Sequence, residues 1–320
     1  MNSEPIRSRR GPARRTRRRG NAWLGRAGAA AAFGAVVLAG FLIAFGPPGG
    51  GSTGASSSAK HGPRPTTRAQ HSAVPPRPGT AAVPILTYHV IASPPSGTTS
   101  PNLYVPQDQF SAQMQALKAA GWHAITLDQL EGHWSHGTSL GAGKPIVLTF
   151  DTGYHSQYAN ALPVLRSLGW VGNENLVVNG FSPSEGGIGD TEIRGLISAG
   201  WEIDTQGVTH RDLIGLGAGE LQTEVASSRQ LLHQRYGVPV NWFSYPLGHY
   251  DATVLAAVKG AGYTGGLTTI AGLAAQNGDP YRFPRITVLP GTSPSALLAQ
   301  ITSAQGDSAP PPSYSGAGLA

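Results

Sequence analysis

The chain has 320 residues and no cysteine, which excludes a disulfide framework and a thiolate metal site and leaves nitrogen and oxygen as the available metal ligands. Nine arginines against Glu4 give residues 1–26 a charge of +8, and Lys60, Arg64, Arg68 and Arg77 give residues 47–80 +4, so the formal +6 of the whole leaves −6 for residues 81–320. The basic balance belongs to the leading segments, and an acidic remainder excludes nucleic acid as its partner.

In chain order, residues 1–26 form a basic tail. Residues 27–46, "AGAAAAFGAVVLAGFLIAFG", are uncharged and apolar over the roughly 20 residues a helix needs to cross a bilayer. The arginines on the amino-terminal side predict a cytoplasmic tail and a single-pass anchor in the plasma membrane, with the rest of the chain outside. A cleaved signal peptide and a secreted product is the alternative, which the length of the apolar run disfavours. Residues 47–80 are rich in Gly, Pro and Ser without apolar periodicity and predict a disordered linker. Residues 304–320, "AQGDSAPPPSYSGAGLA", predict a disordered tail by the same criterion.

Residues 81–303 alternate short apolar runs with amphipathic stretches. The runs "VPILTYHV", "HAITL", "PIVLTF", "NLVV", "WEIDT", "WFSYP", "GGLTT" and "RITVL" predict strands. Helices are predicted between them: "DTEIRGLISAG" carries Ile193, Leu196 and Ile197 on one face behind an Asp190 or Thr191 cap, with Gly200 as the stop. "GELQTEVASSRQLLHQRYG" repeats the pattern with Leu221, Val225 and Leu232 and ends at Gly237. Strand and helix in alternation imply an α/β domain with a mostly parallel sheet or barrel and a site at the carboxyl ends of the strands.

Three such ends are polar. Asp151 and Thr152 follow "PIVLTF", Asp204, Gln206 and His210 follow or end "WEIDT", and His249 and Asp251 follow "WFSYP". A lone polar residue at a strand end is commonly a loop hydrogen-bonder; three sets at one end of consecutive units define a site. Trp170, Trp201 and Trp242 abut apolar strand or helix ends and are expected in the core.

The pieces "VPILTYHVI", "FSAQMQALKAAGWHAITLDQL", "PIVLTFDTGYHSQYANALPVLRSLGW", "WEIDTQGVTHRDL", "VNWFSYPLGHYDATVLAAVKGAGY" and "DPYRFPRITV" occur in an order and spacing that resemble the polysaccharide deacetylase family, the NodB-homology domain. The resemblance implies a distorted (β/α) barrel and hydrolysis of acetyl groups from a sugar polymer, an acetylated polysaccharide or peptidoglycan. It also implies a divalent metal of the zinc, cobalt or nickel class, held by Asp-His-His, with a further Asp as base. Carried onto this chain, Asp151 stands at the base position, Thr152 replaces the metal-binding Asp, Gln206 replaces the first His, and His210 remains. All ten histidines lie at or before His249, so the late "L-x-H" acid is missing.

Two readings follow. In one, a carbon–nitrogen hydrolase acting on N-acetylated cell-envelope glycan has a rebuilt site. Asp151 is then the base, Arg285 its partner, His249 an acid and the Leu247 backbone N–H an oxyanion donor. Tyr88, His89 and Tyr245 are candidates for substrate binding, and His210, Gln206 and Thr152 are degenerate metal ligands. In the other, the domain binds glycan without catalysis and needs no metal.

Overall fold

The computed structural model describes residues 79–304 and 309–316. The predicted membrane crossing at 27–46, the basic tail and almost all of the linker lie outside the described residues, among which no helix is long and apolar enough to cross a membrane.

Eight strands appear where the apolar runs predict them: β1 Ile85–Tyr88, β2 Trp122–Ile125, β3 Lys144–Thr152, β4 Asn173–Leu176, β5 Glu202–Thr205, β6 Trp242–Ser244, β7 Gly265–Leu267 and β8 Ile286–Thr287. The helices are α1 Gln107–Ala119, α2 Leu127–His136, α3 Leu162–Leu168, α4 Asp190–Ser198, α5 Ala218–Gln222, α6 Ser228–Tyr236, α7 Ala252–Gly260 and α8 Pro294–Ser303. All strand pairs are parallel, in the order β7-β6-β5-β4-β3-β1-β8, with β2 beside the first half of β3. A parallel bridge between Leu267 and Phe283 brings the β7 edge to the residues just before β8, so the sheet curls toward closure.

Residues in register on parallel strands point the same way. Asp151, Asn175 and Asp204 are partners across β3, β4 and β5 and share the concave face, as do Val147 and Ile85. Tyr88, Phe150, Glu174 and Ile203 share the convex face. There Tyr88 and Phe150 stack at 5.8 Å and Phe150 and Trp201 at 4.8 Å, beneath the helices. Trp170, Trp201 and Trp242 are all buried, as the sequence predicts.

The N-cap of helix α4 lies just before the predicted Asp190 or Thr191: Gly189 takes that place, and the Glu192 carboxylate accepts the Gly189 N–H at 2.9 Å. The single helix predicted over 219–237 is interrupted, because residues Thr223–Ser227 form a π turn between α5 and α6. A second π turn, Gln157–Ala161, leads into α3. Where the sequence predicts a disordered tail, residues 309–316 are held against the domain. Tyr314 and Tyr250 exchange backbone hydrogen bonds, the Tyr250 hydroxyl donates to the Pro311 carbonyl at 2.8 Å, and Arg282 donates to that of Pro310 at 2.9 Å. Three side-chain and backbone anchors offset the chain entropy that composition alone assigns to this segment.

Candidate functional site

At the carboxyl end of β3, Asp151 is buried and its carboxylate accepts five hydrogen bonds. Oδ1 takes Asn175 Nδ2 at 2.7 Å and Arg285 Nη1 at 2.9 Å. Oδ2 takes Arg285 Nη2 at 2.9 Å, Ser244 Oγ at 3.0 Å and Gln206 Nε2 at 3.3 Å. A carboxylate offers about four lone-pair positions, so this one is full. Burial pushes its pKa up, but the two-pronged Arg285 guanidinium, together with His89 and Asn175, outweighs that and holds it at about 2.

Arg285 is equally committed. Its Nε donates to the Thr268 carbonyl at 2.7 Å, and Thr149 Oγ1 and Ser244 Oγ take its remaining protons at 3.2 and 3.1 Å. All five guanidinium N–H groups are thereby used inside the curved sheet. The expected pairing of Arg285 with Asp151 is present as a buried ion pair.

Thr152 and Gln206 meet each other. The Thr152 hydroxyl donates to Gln206 Oε1 at 3.1 Å, and Gln206 passes its own N–H to Asp151. The two side chains thus form a hydroxyl–amide–carboxylate chain across the β3 and β5 ends. His210 and His89 stand beside it, and each feels the Asp151 charge. Burial lowers the His89 pKa to about 4, with Asp151 pulling it back, and burial lowers that of His210, so both imidazoles are neutral at pH 7.

The predicted ligand set does not fit a divalent metal of the zinc class. Thr152 and Gln206 supply only neutral oxygens, already spent on one another, and His210 is left as one nitrogen. Such metals are held by three or four imidazole, thiolate or carboxylate donors. No group of three or more His, Asp or Glu suited to a metal occurs among the described residues.

Of the other predicted residues, His89 lines a cleft of about 540 Å³ that also reaches Thr152, Tyr154, Phe181 and His210. Tyr88 and Tyr245 do not bind substrate there. Tyr88 lies under α1 with its hydroxyl donating to Gln113 at 3.0 Å, and Tyr245 is buried with its hydroxyl on the Tyr281 carbonyl at 2.9 Å. Strand parity explains both: Tyr88 is in register with the convex-facing Phe150, and Tyr245 follows the concave-facing Ser244. His249 is not brought to Asp151. Its Nδ1 meets Asp212 at 2.8 Å and its Nε2 faces the Gly316 carbonyl at 2.6 Å. Burial opposes protonation of His249, yet the bonds to Asp212 and Gly316 raise its pKa. Leu247 lies three residues beyond Ser244 in the turn after β6.

Thr152, His210 and Leu247 are the non-glycine residues with positive φ among the described residues, at 82°, 59° and 58°. Each costs on the order of 1–3 kcal/mol, Thr152 most because it is β-branched, and such strain gathers at functional sites. Gly153 continues the turn at φ 94°, where a Cβ would come within 2.9 Å of Leu176.

Besides Asn175 and Ser244, two positioning residues on the π turns escape the sequence reading. Gln157 accepts the Tyr154 N–H at 2.6 Å and donates to the His89 and Asp151 carbonyls at 2.8 Å each, tying the β1 and β3 ends together. Glu224 accepts the Val208 and Thr209 N–H groups at 2.9 Å and the Thr209 hydroxyl, fixing the loop that carries His210. Their signal in the sequence is a polar residue on an apolar helix face: Glu224 beside Leu221 and Val225, Gln157 in line with Ala161 and Leu165.

Residues 141–266 match the family model described as polysaccharide deacetylase. YxkH of Bacillus subtilis (strain 168), a protein carrying the polysaccharide deacetylase name, is 30% identical over 223 residues, covering 70% of this chain and 77% of its own. The deacetylase PplD of Streptococcus pyogenes, solved with acetate, superposes with a TM-score of 0.64 at 26% identity over 70% of this chain and 99% of that one. BC0361, a polysaccharide deacetylase from Bacillus cereus, gives 0.62 at 25% over 69% of each. With its curved parallel sheet and its Asp151–Arg285 pair at the strand ends, the chain belongs to the polysaccharide deacetylase family, hydrolases of carbon–nitrogen bonds other than peptide bonds.

Proposed function

We propose that this protein acts on N-acetylated glycan of the cell envelope, held outside the membrane by the apolar run at 27–46, and that the acetamide enters the cleft above Asp151. The observation that carries this reading is the cleft itself: it is lined by the imidazoles of His89 and His210 and by Thr152, the residue that follows the buried Asp151 of the Asp151–Arg285 pair. The acetate complex of the Streptococcus pyogenes relative supports an acyl-binding cleft in this fold.

The surroundings of Asp151 weaken it as the base the resemblance implies. A carboxylate with five donors and a pKa near 2 is a poor proton acceptor at neutral pH and supplies a fixed negative charge. A proton leaving an attacking water goes instead to a neutral imidazole, and His89 forms its imidazolium within the field of Asp151. A base whose pKa is near 4 has less driving force than one poised near 7, so turnover is expected to be slow.

A second reading is favoured by the Thr152–Gln206 bond, which fills the place of two metal ligands: the cleft holds glycan without hydrolysing it. Full-length protein incubated with chitin oligomers and with peptidoglycan, with and without chelator, separates the two. Chelator-resistant acetate release supports slow hydrolysis, and binding without acetate supports the second reading. The absence of both binding and release would refute the glycan assignment.

A further inference from the structure

Phe181 is a large apolar side chain left half in solvent, 50% exposed, yet it is held in place. Its ring stacks on Tyr154 with centroids 5.6 Å apart and planes at 27°. Tyr154 belongs to the loop after β3 and Phe181 to the loop after β4, so the pair joins two of the strand ends that form the site. The loops are laced together by backbone hydrogen bonds: His155 N–H to the Gly186 carbonyl at 2.9 Å and Ile188 N–H to that of Gly153 at 3.0 Å. The turn is also closed on itself, because a Cβ at Gly187 would fall 1.8 Å from the Phe181 carbonyl oxygen. A rigid exposed ring loses little entropy when a ligand covers it.

The position of the pair is as informative as its rigidity. Phe181 and Thr152 line both the cleft of about 540 Å³ and a second cavity of about 350 Å³. Around the platform the cleft offers Ser100, Asn179 and Glu185 as hydrogen-bonding groups. An apolar face bordered by such groups matches a pyranose, whose ring carbons form an apolar face and whose hydroxyls project from its edge.

We propose that the Tyr154–Phe181 pair is a stacking subsite for a pyranose unit adjacent to the one whose acetamide lies over Asp151, so that the protein prefers oligomers to single sugars. The inference rests on the glycan reading given above. The test is titration of full-length protein with N-acetylglucosamine and with a chitin tetramer or pentamer, using the unaltered chain, Phe181→Ala and Phe181→Tyr. Removing the ring should weaken oligomer binding roughly two- to tenfold, the range expected for one aromatic contact, and leave the monosaccharide unchanged. Phe181→Tyr should restore the oligomer affinity. Oligomer affinity unaltered by Phe181→Ala, or an equal loss for monomer and oligomer, would overturn the subsite and leave the glycan reading standing. An unaltered chain that binds no oligomer would overturn both.

Discussion

Replacing Arg285 by Met tests the electrostatic account of the site. The guanidinium holds two of the five bonds to Asp151, and its side chain is fully buried. Lowering a buried carboxyl from 3.8 to about 2 corresponds to about 2 kcal/mol of stability. The folded pKa is below the unfolded one, so this contribution is present above about pH 4 and is lost as the pH falls toward 2. Without Arg285 only Asn175, Ser244 and Gln206 remain, no counter-charge faces the carboxylate, and burial drives its pKa above 3.8. Breaking a buried pair from one side costs about 3–5 kcal/mol, a large part of the total stability of a domain. The deficit should be greatest at pH 7 and narrow by more than about 1 kcal/mol at pH 4, where the variant's carboxyl takes up a proton in the folded state. Urea unfolding followed by tryptophan fluorescence at pH 7, 5.5 and 4 reads this directly for the unaltered chain, Arg285→Met, Asp151→Asn and the double variant. A deficit independent of pH, or single-variant losses that add to within about 0.5 kcal/mol, would refute the coupling.

Three further expectations concern other positions. Glu174 is buried on the convex face with neither carboxyl oxygen partnered among the described residues, and burial with the nearby Asp151 raises its pKa well above the usual range. Glu174→Met should therefore stabilise the fold by about 1–3 kcal/mol at pH 7, and less below pH 4.5 where the unfolded chain is protonated too; equal melting curves at both pH values would contradict this. Glu224→Ala leaves the Val208 and Thr209 N–H groups without their acceptor, so amide exchange over 206–210 should accelerate by at least tenfold while β3 keeps its protection. Thr152→Asp combined with Gln206→His should create zinc affinity measurable by calorimetry where the unaltered chain shows little; equal affinity would mean that the two positions do not converge on one ion.

The strands were legible in the sequence because they depend on strong local signals: an apolar run such as "PIVLTF" predicts a buried strand. The Asp151–Arg285 pair, 134 residues apart in the chain, had no such signal and was an expectation attached to the rebuilt-site reading. Tyr88 and Tyr245 lie away from the cleft because strand parity, which a short motif does not display, sends each to the face opposite its neighbour in the site. Asn175 and Ser244 were missed although "NENL" is too polar for a buried strand unless its side chains have partners. Gln157 and Glu224 were hidden by a helical period that runs smoothly through both π turns; a π turn shifts the phase of the face, and only the polar residue on the apolar stripe marks it. The ordered 309–316 segment had no compositional signal at all, since its anchors, Tyr250 and Arg282, lie far away in the chain.

The left-handed backbone at Thr152 bears on which residue this turn would accept. Asp and Asn tolerate this region far better than a β-branched residue does, and Asp is what the family motif places there. An Asp at this position would relax the main chain between Asp151 and Gly153. Opposing it are the charge of Asp151 next door and the loss of the hydroxyl that donates to Gln206. A bound cation would offset the repulsion, so the main chain is already shaped for a carboxylate in this place.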